Sequence, residues 1–274
     1  MQPLTPDRLA IHTMTTKPWS LAEACEHYAC AGVAGICPWV EHVKPVGAAQ
    51  AARIIRASGL RVPAYVRGGF FVHADATERA AAIERTRGLI EEARTLNAEM
   101  LVIVAGARPG VPLDDARAMA ADALAALAEH ASRAGVRLAL EPLHPMYAAD
   151  RSCINTVRSA RDLCDRVSHP ALVVAVDVYH TWWEPGLAEQ IAALGREQRL
   201  AAFHICDFKA EFSDVLLDRG LMGEGVVPIP DIRRAVENAG FSGLVEVEIF
   251  STRYWAEDQH HWLARILDAA RQHA

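Results

Sequence analysis

The sequence lacks any uninterrupted apolar run approaching the roughly 18 residues of a membrane-spanning helix, so no membrane partner is expected. It also lacks a basic surplus. With 28 Lys and Arg against 34 Asp and Glu, the formal net charge is −6, the wrong balance for a surface built to grip nucleic-acid phosphates. Six cysteines are present (Cys25, Cys30, Cys37, Cys153, Cys164 and Cys206), but none forms a Cys-x-x-Cys pair and most sit inside apolar runs. Buried free thiols are therefore expected, not disulfides or a cysteine-held zinc. No Gly-x-Ser-x-Gly elbow and no Gly-x-Gly-x-x-Gly fingerprint occurs, which speaks against a serine hydrolase and a dinucleotide enzyme. Gly223 and Gly225 are too sparse a pair to cradle a phosphate. Met1 to Ile11 carry Asp7 and Arg8 without an apolar segment, so no secretory leader is expected and a cytoplasmic location is anticipated.

What is present is an apolar, evenly punctuated chain. Hydrophobic residues make up 51% and charged residues 23% of 274 positions, enough to bury a large core, with no linker or low-complexity tract. Short apolar runs predict strands at Leu9–Thr13, Gly35–Pro38, Arg61–Val66, Met100–Ala105, Arg137–Glu141, Leu172–Asp177, Ala201–Cys206 and Leu244–Phe250. Periodic segments rich in Ala, Leu, Arg and Glu predict helices at Leu21–Ala31, Val46–Ser58, Thr77–Leu96, Asp114–Ala134, Thr156–Val167, Gly186–Leu194, Asp231–Ala239 and Ala256–Gln272. Gly32, Gly59, Gly135 and Gly240 stand just before strands, where a left-handed glycine stops a helix. Strictly alternating β–α units over this length predict an α/β fold, a single (β/α)8 barrel spanning residues 1–274. The longest irregular stretch, Asp207–Pro230, follows strand seven, and loops of that length in a compact domain usually carry function.

Polar residues close otherwise apolar strands. Strand five ends in Glu141, strand six in Asp177, strand seven carries His204, and strand eight carries Glu246 and Glu248. A charge buried at a strand end needs a partner or a metal, because desolvating it alone is costly. In a barrel, all C-terminal strand ends open at one mouth, so four consecutive strands deliver carboxylates and an imidazole to one place. Such an oxygen-rich set suits one divalent metal, Mn2+ or Mg2+, with Co2+ and Zn2+ as alternatives. Glu246 and Glu248 share a face; Glu248 lies nearer the mouth and is preferred, and Glu246 stays open as the alternative. Arg137, four residues before Glu141, is expected to pair with it.

The segments Glu141-Pro-Leu-His-Pro, Asp177-Val-Tyr-His180, Phe203-His204-Ile and Gly223-Glu-Gly225 through Gly240-Phe-Ser-Gly-Leu-Val-Glu-Val-Glu248 resemble the sugar phosphate isomerase/epimerase family. This is the xylose isomerase-like TIM-barrel superfamily, and the similarity to its inosose isomerase-like branch is greatest around Gly223–Tyr254. The resemblance implies metal ligands Glu141, Asp177, His204 and Glu248. It implies that Glu141 and Glu248 also flank the reacting carbon, one taking a proton and the other returning it through a metal-stabilised enediolate. His180, three residues after Asp177, is placed by the resemblance near the substrate. His144, His12, Arg67 and Arg219 are candidate hydroxyl donors or loop contacts, and Trp39 a candidate sugar-stacking ring. The implied activity is isomerisation or epimerisation of a sugar, keto-sugar or cyclitol. A dehydratase or lyase using the same carbanion is the alternative; an abasic-site endonuclease and a non-catalytic sugar-binding barrel stand further off. No basic phosphate pocket is visible in the sequence, so a non-phosphorylated substrate is expected, and a homo-oligomer is in keeping with similar proteins.

Overall fold

The computed structural model describes residues 2–274. Strands β1 (Leu9–His12), β2 (Gly35–Cys37), β3 (Ala64–Gly69), β4 (Met100–Val104), β5 (Arg137–Leu140), β6 (Leu172–Asp177), β7 (Leu200–Ile205) and β8 (Val245–Val247) form one parallel sheet. Its order is β2-β1-β8-β7-β6-β5-β4-β3. Between β2 and β3 the ladder thins to two isolated bridges, Gly35 with Arg61 and Trp39 with Val66. These are held by Ile36 N–H to Arg61 O (2.9 Å) and Val66 N–H to Pro38 O (3.0 Å), so the sheet is nearly closed into a barrel.

The helices between strands are α1 (Leu21–Cys30), α2 (Val40–Val43), α3 (Ala48–Ser58), α4 (Ala76–Thr95), α5 (Leu113–Ala134), α6 (Val157–Val167), α7 (Val178–Thr181), α8 (Leu187–Arg196), α9 (Ile229–Asn238), α10 (Thr252–Trp255) and α11 (Gln259–His273). Strands buried on both faces read as continuous apolar runs, and here the two faces differ in size. Ala10, Ala64, Ala139, Ala175 and Ala202, with Val66, Met100, Val102 and Val173, fill the lumen. Leu101, Ile103, Leu138, Leu140, Val174 and Val176 face the helices. Small residues inside let the barrel close as a packed core and not a pore.

Local signals fix the helix ends. Ser20 and Glu23 form a reciprocal capping box on α1, and Asp75 caps α4. Gly59 and Gly135 end α3 and α5 with φ of 75° and 71°, and Gly32 and Gly240 are likewise left-handed. Buried Glu184 accepts the Val157 and Arg158 amides (2.6 and 3.1 Å), closing the start of α6.

Several boundaries depart from the sequence expectation. Strand three was placed at Arg61–Val66; Pro63 has no N–H to give to a ladder, and β3 begins after it and runs to Gly69. Strand eight shrinks from Leu244–Phe250 to Val245–Val247, although the Glu248 amide still bonds Ile205 O at 3.2 Å. Helix three starts at Ala48, behind the extra turn α2, and the last helix starts at Gln259, where Asp258 caps it. The expected Arg137–Glu141 pair does not form. Arg137 lies at the opposite, N-terminal end of its strand, four residues or roughly 13 Å away, and instead faces Glu99 at 3.6 Å. Five cysteines are buried and Cys30 is exposed; all six are free thiols.

Candidate metal centre and substrate cleft

Glu141, Asp177, His204 and Glu248 converge at the C-terminal mouth, with one donor atom from each lying within 4.8 Å of the others. All four are buried. Glu141 Oε1 and Glu248 Oε2 both stand 3.0 Å from His204 Nδ1, yet Glu141 Oε1 and both ring nitrogens of His204 lack a hydrogen-bond partner of acceptable geometry. Two carboxylate oxygens crowd one nitrogen as they would crowd a cation.

Each carboxylate divides its oxygens between support and centre. Asp177 Oδ1 accepts the Tyr179 amide (2.7 Å) at the start of α7, while Oδ2 faces Arg219 Nη1 at 3.3 Å and His180 Nε2 at 3.8 Å. Glu248 Oε1 accepts from Arg219 at 3.4 Å, and Oε2 points to His204. Burial raises the Asp177 pKa to about 7, with Glu248 and Glu141 adding to the rise and Arg219 opposing it. Burial acts the same way on Glu248, but His12, Arg219 and His204 outweigh it and hold that carboxyl well below its usual range. Burial alone would keep His204 neutral; Glu246 and the surrounding carboxylates instead hold its pKa well above the ordinary value. The ring thus gathers a proton where the donor set fits a divalent ion, and an ion held there would take the place of that proton. The residues therefore suit the metal that the sequence pattern implies.

Beneath this layer lies a second one around Glu246, and His12, His204 and Glu246 also bring donor atoms within 4.8 Å of one another. Glu246 Oε2 is 3.3 Å from His204 Nε2, 3.0 Å from His12 Nε2 and 3.1 Å from Cys37 Sγ. Trp39 Nε1–H donates to His12 Nδ1 (3.1 Å), so the His12 proton sits on Nε2 and is donated to Glu246. Burial pushes the Glu246 carboxyl up, but His204 and the bond from His12 hold it down at about 2. Burial, reinforced by Glu246, pushes the Cys37 thiol up, so it stays a neutral donor. Glu246 Oε2 lies on the Nε2 side of His204, leaving Nδ1 toward the mouth, the side from which an outer carboxylate would orient a histidine that held a metal.

Above the centre is a cleft of about 410 Å3, part of it open to solvent. Glu141, Glu248, His180, Arg219, Trp39 and Arg67 line it. His180 Nδ1 stands 3.1 Å from the His144 amide and its Nε2 3.3 Å from Arg219 Nη2. Burial keeps His180 neutral by lowering its pKa well below the ordinary value, and Arg219 adds to this. Arg219 is itself buried, with its guanidinium 4.4 Å from the Tyr179 ring centre and 5.0 Å from that of Phe250. His12 lies one layer down, behind Trp39. The His144 side chain is not brought to the cleft: it stacks on Phe208 (5.4 Å, 22°) and accepts the Met146 amide at 3.3 Å.

Arg67 reaches the cleft through a register shift. Val66 pairs with Val102 and Gly68 with Ile103, so Arg67 is the unpaired residue of a bulge. Val66 faces the lumen, yet a side chain on Gly68 would meet Leu101, Ile103 and Thr86 on the helix side. The bulge therefore puts two successive side chains inside. At Gly69 (φ 106°) a Cβ would lie 2.0 Å from Val104 O, so only glycine fits beside β4.

Sequence reading missed Phe70, Tyr147, Arg151 and Phe250, which also line the cleft. It missed Asp207 too, whose carboxylate accepts the Phe208, Gly223 and Val227 amides (2.9, 2.9 and 3.0 Å) and clasps the long loop that carries Arg219. An aspartate directly after strand seven, followed by two spaced glycines, was the available signal. A Cβ on Gly225 would lie 2.2 Å from Phe208 O, so that glycine serves the clasp.

The model of the xylose isomerase-like TIM barrel matches residues 22–267. The crystal structure of a protein from Sinorhizobium meliloti 1021 superposes with a TM-score of 0.94 at 44% identity, covering 97% of this chain and 98% of that one. The IolI protein, solved with a bound zinc atom, superposes with a TM-score of 0.82 at 20% identity, covering 97% of this chain and 99% of its own, a likeness of fold. Inosose isomerase of Bacillus subtilis (strain 168) is 24% identical over 193 residues, 68% of this chain and 66% of that protein. The barrel, the order of charged strand ends and the extent of the match agree: the chain belongs to the xylose isomerase-like TIM-barrel family.

Proposed function

We propose that the protein is a divalent-metal-dependent isomerase or epimerase of a sugar, keto-sugar or cyclitol. The observation that carries this reading is the convergence of Glu141, Asp177, His204 and Glu248, buried and within 4.8 Å of one another, at the mouth of the barrel. A bound divalent ion, Mn2+ first with Mg2+, Co2+ or Zn2+ as alternatives, would supply Lewis acidity that stabilises the negative charge formed when a C–H proton leaves beside a carbonyl.

The protein's own groups do the rest. Glu141 and Glu248 enter from the ends of β5 and β8, two different sides of the mouth, so a substrate carbon between them is open to a base on each face. One carboxylate takes the proton and the other returns it. His12 and Arg219, beside Glu248, keep that carboxylate ionised. His180 lines the cleft beside Arg219, within reach of a substrate oxygen. Trp39, whose indole is fixed by His12, presents an apolar face suited to the C–H side of a sugar ring. Glu246 holds His204 in its ligating orientation.

The test has two stages. Metal analysis of the purified protein is expected to find about one divalent ion per chain. Incubation with keto-sugars and inososes in D2O is then expected to introduce deuterium at the carbon next to the carbonyl. Turnover without deuterium entry would replace proton transfer by a hydride shift, and loss of water would assign the elimination reaction instead.

A further inference from the structure

We propose that Arg67 and Arg151 form an oxyanion-binding subsite at the rim of the cleft, so that the substrate carries a carboxylate or phosphate besides its carbonyl and hydroxyl groups. This rests on the reading of the cleft as a substrate site. Among the described residues, no carboxylate lies within ion-pair distance of either guanidinium, and neither guanidinium makes a hydrogen bond. Instead, each lies against aromatic faces. Arg67 is 5.3 Å from the Trp39 ring centre and 5.0 Å from that of Phe70, and Arg151 is 5.5 Å from that of Tyr147. By contrast Arg161, Arg199, Arg219 and Arg233, also withdrawn from solvent, each face a carboxylate.

The two free cations share the cleft with Glu141 and Glu248, yet pair with neither. Burial lowers the pKa of Arg67 although Glu41 and Glu248 oppose the fall, and both arginines line the same cleft. Such a pair with unspent donors is a fork for a planar carboxylate or a phosphate. Both sit on anchored backbone. The bulge and the Phe70 N–H to Val104 O bond (2.7 Å) fix the Arg67 loop, and the Arg151 amide is bonded to Tyr147 O at 3.0 Å. No basic pocket was visible in the sequence because the two residues lie far apart in the chain and only the bulge turns Arg67 inward.

Titration calorimetry of the metal-loaded protein at fixed ionic strength tests this with sorbitol, D-gluconate and sorbitol 6-phosphate, three six-carbon polyols that differ at one terminus. At least one anion is expected to bind ten times more tightly than sorbitol, about 1.4 kcal/mol. Arg67→Met and Arg151→Gln are each expected to abolish that advantage while leaving metal content unchanged. The anion whose gain depends on the arginines names the group. Equal binding of all three compounds, or an advantage that survives both substitutions, overturns the subsite. Should Arg67→Met fail to fold, Arg151→Gln, on an exterior loop, decides alone. Arginine-dependent anion binding without deuterium exchange on any keto acid keeps the subsite and removes the isomerase reading. Exchange on neutral inososes with arginine-independent binding does the reverse.

Discussion

Strands β5 to β8 end in Glu141, Asp177, His204 and Glu248, whereas β1 to β3 bring His12, Trp39 and Arg67 toward the same mouth. On the first side, acids crowd a histidine with unspent lone pairs, and the oxygens not aimed inward are held by a helix start or by Arg219. On the second side the polar groups are held by rings, and Trp39 ties His12 to the cleft wall. On the proposed function, one half of the rim holds a cation and moves protons, and the other seats the substrate. Substitutions should therefore separate into losses of metal and losses of affinity.

The largest effect is expected on the acidic side. Glu248→Gln is expected to lose the divalent ion by metal analysis and to cut deuterium exchange by about a thousandfold, the scale of removing a group that acts on transition-state charge. Stripping the ion from the unaltered protein with a chelator should reproduce that loss, and full exchange in the stripped protein would break the comparison. Glu246→Gln comes next. Its expected effect is a fall of about 10- to 100-fold in metal affinity, measured by competition with a chelating dye. A loss as complete as that of Glu248→Gln would move Glu246 into the ligand set. On the other side, Trp39→Phe is expected to raise KM by roughly tenfold while metal content holds, because the ring face is kept but the anchor to His12 is lost. A drop in kcat alone would place Trp39 with the acids. Smallest of all, Ser20→Ala removes the capping box of α1, far from either side. It should cost about 1 kcal/mol in thermal or denaturant unfolding and leave KM and kcat unchanged.

The same division explains what the sequence disclosed. Glu141, Asp177, His204 and Glu248 follow regular apolar strands, so simple alternation and the order of strands were enough to bring them to one mouth. β6 was read at its observed ends, Leu172–Asp177. Arg67 was named, but its inward aim depends on a register shift that alternation does not encode. The Gly68-Gly69 pair hints at the shift without giving its direction. Arg151 and Tyr147 sit in a loop whose course is set by bonds to Gly106 and to its own preceding turn. Arg137 was mispaired because sharing a face says nothing about height along the barrel axis. His144 was assigned to the cleft by its nearness to Glu141 in the chain, whereas the turn at Pro145–Tyr147 directs its ring onto Phe208.

The thin closure between β2 and β3 has a consequence for how the molecule breathes. Trp39 and Val66 form one of its two stitches, and Arg67 follows directly on the far bank. Few backbone bonds hold this join, so amide exchange should begin there sooner than along the fully paired staves. An occupant resting on both Trp39 and Arg67 would act as a staple across the gap, and its arrival would be read as slowed exchange at Ile36 and Val66, residues it never touches.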